Sequence, residues 1–207
     1  MDALIIVDIQ NDFLPGGALA VPRGDETIPV VNGIQPRFGL VVATQDWHPA
    51  GHASFASSHP GKHVYDAVTI DGVEQILWPD HCVQGSRGAE LARAFNTNRV
   101  EAVFRKGTDP GIDSYSAFYD NARRKSTGLE GYLKWKKVDR VFLAGLAADF
   151  CVSYSIMDAL AMGFEAVLIK DATRAISEEG FRTAEKAILA KGATVVLSES
   201  LASMVRD

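Results

Sequence analysis

Arg140-Val141-Phe142-Leu143-Ala144-Gly145, then a helical stretch from Phe150 to Met162, then Ala166-Val167-Leu168-Ile169, follow one another without a linker. The first and last pieces are short continuous apolar runs, the pattern of strands covered on both faces. Between them Val152, Ile156, Ala159 and Leu160 recur at helical spacing, and Gly163 supplies a C-terminal stop. Strand, helix and strand in this order predict a parallel crossover. Working outward, similar apolar runs occupy residues 3–7, 40–43, 100–104 and 194–197. Ser177 is placed to cap a further helix that runs to about Ala190 and stops near Gly192. The expected fold is α/β, a three-layer α/β/α arrangement around a central six-stranded, mostly parallel sheet. No repeat or linker divides the chain, so residues 1–207 are expected to form one domain.

Bulk properties narrow the function classes. With 47% hydrophobic and 23% charged residues the chain has material for an ordinary core. A formal net charge of -5 and the absence of a long Lys/Arg run argue against a nucleic-acid partner. No apolar run is long enough to span a bilayer. The chain enters its first strand directly, with no basic leader, and its two cysteines, Cys82 and Cys151, are far apart in sequence. A cytoplasmic protein acting on a small molecule is the expectation, with oligomeric state left open.

In a parallel sheet, ligands bind at the carboxyl ends of the strands. Asp8, Asp46, Lys106 and the turn from Gly145 to Cys151 all fall at such ends, so topology alone places them on one rim. All five histidines lie between His48 and His81, in a segment of about 46–84 that is too long for an ordinary connection. Asp46-Trp47-His48 and Trp78-Pro79-Asp80-His81 are compact imidazole and carboxylate motifs, suited to zinc, iron or manganese. Cys151 is expected in the first turn of a helix capped by Asp149, where free backbone N–H groups favour a thiolate. A small buried apolar role is the competing reading of Cys151. Asp8 and Lys106 are the available proton acceptor and cation for a thiol nucleophile. The first strand lacks a Gly-x-Gly-x-x-Gly turn, which argues against a dinucleotide-binding domain.

Taken together, the motifs resemble those of the nicotinamidase branch of the isochorismatase-like cysteine hydrolase family. The resemblance rests on Val7-Asp8-Ile9-Gln10-Asn11-Asp12-Phe13, Thr44-Gln45-Asp46-Trp47-His48-Pro49, Trp78-Pro79-Asp80-His81-Cys82-Val83, Phe104-Arg105-Lys106-Gly107, Asp113-Ser114-Tyr115-Ser116-Ala117-Phe118 and the segment from Gly145 to Val152. It implies a catalytic acid, lysine and cysteine at Asp8, Lys106 and Cys151. It implies an oxyanion hole from the N–H groups of Ala147 and Cys151, with a cis peptide before Ala147. It implies metal ligands at Asp46, His48 and His81, with His52 either a fourth ligand or a neighbour of the ligands. His59 and His63 match no ligand position and are expected in solvent. Phe13, Trp78 and Tyr115 match a pocket that encloses a pyridine ring. The implied activity is hydrolysis of nicotinamide to nicotinate and ammonia through a cysteine thioester, in NAD salvage, with pyrazinamide as a second substrate. The implied cofactor is one divalent ion, zinc first, with iron or manganese as alternatives. Ala148 and Phe150 stand where relatives often carry threonine and tyrosine or histidine. The rival readings are another cysteine hydrolase of the same fold and, remotely, a zinc-binding interaction module.

Overall fold

The computed structural model describes residues 1–206. Its elements run β1 (Asp2–Val7), α1 (Thr27–Ile34), β2 (Leu40–Asp46), β3 (Ala67–Ile70), β4 (Val73–Ile76), β5 (Val100–Lys106), α2 (Leu129–Trp135), β6 (Arg140–Leu146), α3 (Ser153–Ala161), β7 (Glu165–Arg174), α4 (Glu178–Ala190), β8 (Thr194–Val196) and α5 (Leu201–Met204). Six of the strands form one parallel sheet in the order β5-β2-β1-β6-β7-β8. Alternate residues of a strand face opposite sides. In β1, Leu4 and Ile6 pack toward Ile28, Val31 and Leu201 of α1 and α5. Ala3, Ile5 and Val7 pack toward Leu129, Leu133, Ile156 and Ile188 of α2, α3 and α4. The sheet is therefore covered on both faces, in the three layers expected from its continuous apolar runs.

The strand order reverses beside β1, which has β2 on one side and β6 on the other. Such a switch point leaves a crevice at the carboxyl ends of the flanking strands. Three strands run further than their apolar runs suggest. β2 extends through Asp46, β5 through Lys106 and β6 through Leu146. Asp46 and Lys106 are thus register partners in adjacent strands, not residues of the following turns. β5 also departs from the expectation of burial on both faces. It is an edge strand with alternating burial, and Val103 is exposed.

Residues 46–84 are not a structureless loop. They contain a three-residue 3-10 turn at Ala56–Ser58 and the antiparallel hairpin β3–β4. Asp71 and Gly72 form its turn with φ of 50° and 81°. Asp-Gly between alternating apolar positions is a strong hairpin signal, because both turn residues must adopt positive φ. Ser177 caps α4 as expected, accepting from the Gly180 N–H at 3.2 Å.

Candidate active site

The crevice beside β1 gathers the rim residues. Asp8 follows β1 with φ of 48°, a left-handed conformation that aspartate tolerates better than most residues. Its backbone N–H donates to Thr44 Oγ1 at 3.2 Å, and Thr44 Oγ1 donates to Asp8 Oδ1 at 2.6 Å. The other oxygen, Oδ2, lies 2.9 Å from Lys106 Nζ. Lys106 Nζ also donates to Asp46 Oδ1 at 2.5 Å, to the Ser114 carbonyl at 3.0 Å and to Cys151 Sγ at 3.4 Å. One buried ammonium therefore touches two carboxylates and the thiol. Ligand-type atoms of Asp8, Asp46 and Cys151 all lie within 4.8 Å of one another.

Burial drives the protonation states apart. Burial pushes the Asp8 carboxyl above the usual carboxylate range, although Lys106 pulls it down. Asp46 is also penalised by burial, but Lys106 and His48 overcome this and hold it well below that range. Burial disfavours the Lys106 ammonium, yet Asp46 and Asp8 keep it charged well above the ordinary lysine value. Burial pushes the Cys151 thiol well up, with Lys106 opposing. Burial thus opposes the helix-start effect that favours a thiolate at Cys151, and Lys106 works with that effect.

The local fold at Cys151 differs in another way. Residues Ala148–Val152 form a π turn that leads into α3. Turns of this kind are rare and often mark functional sites. Asp149 does not cap it. Instead Asp149 accepts from the backbone N–H groups of Ile176 and Ser177 at 3.0 and 2.9 Å, tying the turn to the start of α4. The peptide bond Leu146–Ala147 is cis, at the expected position. Gly145 has φ of 109°, and a Cβ there would meet the Val7 carbonyl oxygen at 2.0 Å. Only glycine lets β6 approach β1 so closely at this rim.

The second half of the crevice is a trio, Asp46, His48 and His81, that could hold a metal ion. Nε2 of His48 and of His81 lie 3.5 and 3.7 Å from Asp46 Oδ2. His48 Nδ1 faces the Gly107 carbonyl at 3.1 Å, and His81 Nδ1 faces the Pro79 carbonyl at 2.8 Å. A carbonyl accepts from an N–H, so each ring is set to present the lone pair of Nε2. His48 Nε2 is buried and has no hydrogen-bond partner. Asp8, Asp46 and Asp113 are three buried carboxylates against the single buried ammonium of Lys106 in this cluster. Uncompensated buried charge costs several kcal/mol per ion. A divalent cation in the trio satisfies the orphan nitrogen and balances the charge, so the residues present fit such an ion. Asp46 joins the two halves, giving Oδ1 to Lys106 and Oδ2 to the trio.

His52 does not face the trio. Its Nδ1 contacts Ser54 Oγ at 2.8 Å and its Nε2 contacts the Asp109 carbonyl at 2.7 Å. With both nitrogens engaged it packs its ring 4.4 Å from that of His48. His63 is exposed as expected, but His59 is held by the Ala53 carbonyl at 2.7 Å. Phe13, Trp78, Tyr115, Ala147 and Phe150 line a cleft whose floor carries Cys151, with Asp46 and His81 at one side. The three aromatic residues expected around a ring are thus brought together.

Several contributors were not singled out from the sequence. Thr44 orients Asp8. Gln10 holds Asp46 at both ends, accepting from the Asp46 N–H at 2.8 Å and donating to its carbonyl at 2.8 Å. Gly107 packs beneath His48, and Asp113 lies in the cleft wall, its Oδ1 3.9 Å from His48 Nε2. Asp113 and Gly107 sit inside the resembling motifs, which was the available signal. Thr44 and Gln10 lie inside those motifs too, but they act through contacts 36 residues apart in sequence, so their partners are not revealed by any local pattern.

A family model described as the isochorismatase domain matches residues 2–200. The nicotinamidase of Escherichia coli (strain K12) is 48% identical over 179 residues, covering 84% of each chain. Among solved structures, the Acinetobacter baumanii nicotinamidase and pyrazinamidase superposes with a TM-score of 0.95 at 41% identity, covering 97% of both chains. An L. infantum structure in complex with nicotinate matches at TM-score 0.86 and 40% identity, covering 97% of this chain and 94% of the other. The pyrazinamidase of Pyrococcus horikoshii, solved with zinc, matches at TM-score 0.79 and 36% identity, over 95% and 98%.

Proposed function

The chain belongs to the isochorismatase family, and on that premise we propose that Asp8, Lys106, Cys151 and the Asp46–His48–His81 trio are two halves of one active centre. The protein is an amidohydrolase that converts nicotinamide to nicotinate and ammonia, with pyrazinamide as a second substrate. The observation that carries the residue roles is the position of Lys106 Nζ, in contact with Asp8, Asp46 and Cys151 at once.

The pyridine ring enters between Phe13, Trp78 and Tyr115, with its amide carbon over Cys151 Sγ. Asp8 takes the thiol proton as the sulfur attacks, and its raised pKa suits a base that must later act as an acid. Lys106 remains protonated and offsets the negative charge on sulfur and carboxylate. The S–C bond forms, and the N–H groups of Ala147 and Cys151 receive the developing oxyanion. The C–N bond then breaks, with the proton passing from Asp8 to the departing nitrogen, and ammonia leaves. Water next gives a proton to Asp8 and attacks the nicotinoyl thioester. The C–S bond breaks, the proton returns to Cys151 and nicotinate is released.

Asp46, His48 and His81 would hold a divalent metal, which would supply a Lewis-acidic position beside the ring when bound. We place zinc first, with iron or manganese as alternatives, because two imidazoles and one carboxylate suit all three ions. Residues 1–207 act as one domain, with 46–84 as the metal-binding insertion. No helix among the described residues is long and apolar enough to cross a membrane. Both cysteines are free, which fits the reducing cytoplasm.

The test is ammonia release from nicotinamide, pyrazinamide and carbamoyl amines, and pyruvate release from isochorismate, each with and without chelator. Turnover of the two ring amides, lost on chelation and restored by added zinc, is expected. Turnover of isochorismate or carbamoyl amines in place of the ring amides would refute the assignment.

A further inference from the structure

The hairpin β3–β4 is solvated along most of its length, yet one of its side chains is buried. Gln75 is 4% exposed, while its flanking residues are exposed or half-buried. Its Nε2 lies 3.0 Å from Tyr115 Oη, 3.1 Å from Asp113 Oδ2 and 2.6 Å from the Ile76 carbonyl. The carboxylate of Asp113 only accepts, so it admits the NH2 of the amide and rejects the carbonyl. That fixes the orientation of Gln75. Tyr115 Oη also accepts from Trp78 Nε1 at 3.2 Å. Two N–H donors thus occupy the tyrosine oxygen, and its own proton must point away from both. Asp113, Tyr115 and Trp78 all line the cleft over Cys151, whereas Gln75 does not.

We propose that Gln75 is a positioning residue, through which the hairpin sets the Asp113 and Tyr115 wall against the substrate ring. This rests on the ring amide reading of the cleft and deepens it. Gln75 touches no reacting atom, and its effect reaches the substrate only through the two groups it clamps. The hairpin is therefore part of the apparatus that selects the ring, not a surface ornament of the metal loop. Substitution weakens ring binding and leaves the chemistry at Cys151 in place.

The experiment measures KM and kcat for nicotinamide on metal-loaded protein, with metal content determined in parallel. Gln75→Leu removes both donors, and KM is expected to rise about tenfold, the usual worth of one or two buried hydrogen bonds. Its kcat should stay within about threefold of the parent, since positioning of the ring and not the reacting groups is lost. Gln75→Glu, equal in shape, sets a second carboxylate against Asp113 and should raise KM further. Glu74→Ala, on the outward face of the same strand, should leave KM alone. In a cycle with Tyr115→Phe, the double variant should be less impaired than the product of the singles, because both remove the same contact. Should Gln75→Leu fail to fold, Gln75→Glu carries the same KM test. An unchanged KM, singles that multiply, or a fall in kcat with loss of metal would overturn the proposal. A parent that releases no ammonia from nicotinamide would sink the ring amide reading itself, and is told apart by being read on the unsubstituted protein.

Discussion

Replacing Gly107 with alanine should strip the metal site while leaving the catalytic cluster in place. Gly107 has φ of 65°, and its carbonyl faces His48 Nδ1. A Cβ built there would lie 2.4 Å from His48 Cε1 and 2.6 Å from Nδ1. Carbon contacts are comfortable at about 3.5 Å, so the ring must retreat by about 1 Å. Metal–nitrogen distances tolerate only about 0.2 Å. His48 can then no longer ligate in register with Asp46 and His81. Disturbing the groups that hold a ligand typically costs about 10- to 100-fold in metal affinity, and direct displacement should reach at least that. The left-handed backbone adds a stability cost of about 1–2 kcal/mol for any residue with a Cβ. Gly61 separates the two effects. Its φ is 78° and nothing lies within 4 Å of its Cβ position. Gly61→Ala should therefore show a similar fall in Tm and no change in metal affinity. Chelator competition and metal content after dialysis measure the difference. If Gly107→Ala holds metal as tightly as Gly61→Ala, the account of how His48 is positioned is wrong.

Further outcomes follow from the same geometry. Thr44→Val removes a hydroxyl that lowers the Asp8 pKa, so the acid limb of the kcat/KM profile should move to higher pH. The same change leaves a buried carboxylate short of a donor, and should cost about 1–3 kcal/mol in denaturant unfolding. Lys106→Met removes the group that offsets burial at Cys151, so alkylation of that thiol by iodoacetamide near neutral pH should slow by about tenfold or more. An unaltered alkylation rate would show that the ammonium does not act on the sulfur. Asp46→Asn should not be rescued by excess metal, because it also removes the negative charge that Lys106 Nζ faces, whereas His81→Ala should recover part of its activity. Equal rescue of both variants would mean that Asp46 serves the metal alone.

Much of this centre could be read from residue order, for a physical reason. Continuous apolar runs announce a sheet buried on both faces, and a parallel sheet delivers strand ends to one rim. Asp8, Lys106 and Cys151 needed only that rule to be brought together. The Asp46, His48 and His81 trio was legible because two compact motifs hold its three candidate donors. Other features depended on contacts that no local pattern encodes. Asp46 serves both halves because β2 and β5 pair in a register that sets it opposite Lys106. Burial of Cys151 pushes its thiol up and opposes the helix-start effect its sequence context suggests, and that burial is set by tertiary packing. Asp149 looked like a cap, and tertiary structure gave it the N–H groups before α4 instead. The hairpin has a local signature, Asp71-Gly72, within the histidine-bearing segment.

The claim that a cysteine thioester forms beside a bound divalent ion is tested most directly with Cys151→Ala loaded with metal. Ammonia release from nicotinamide should fall to the uncatalysed level while metal content equals that of the parent, and acid quench of the turning-over parent should leave a nicotinoyl group on the peptide that contains Cys151. Ammonia release by the metal-loaded variant within a few-fold of the parent would contradict it.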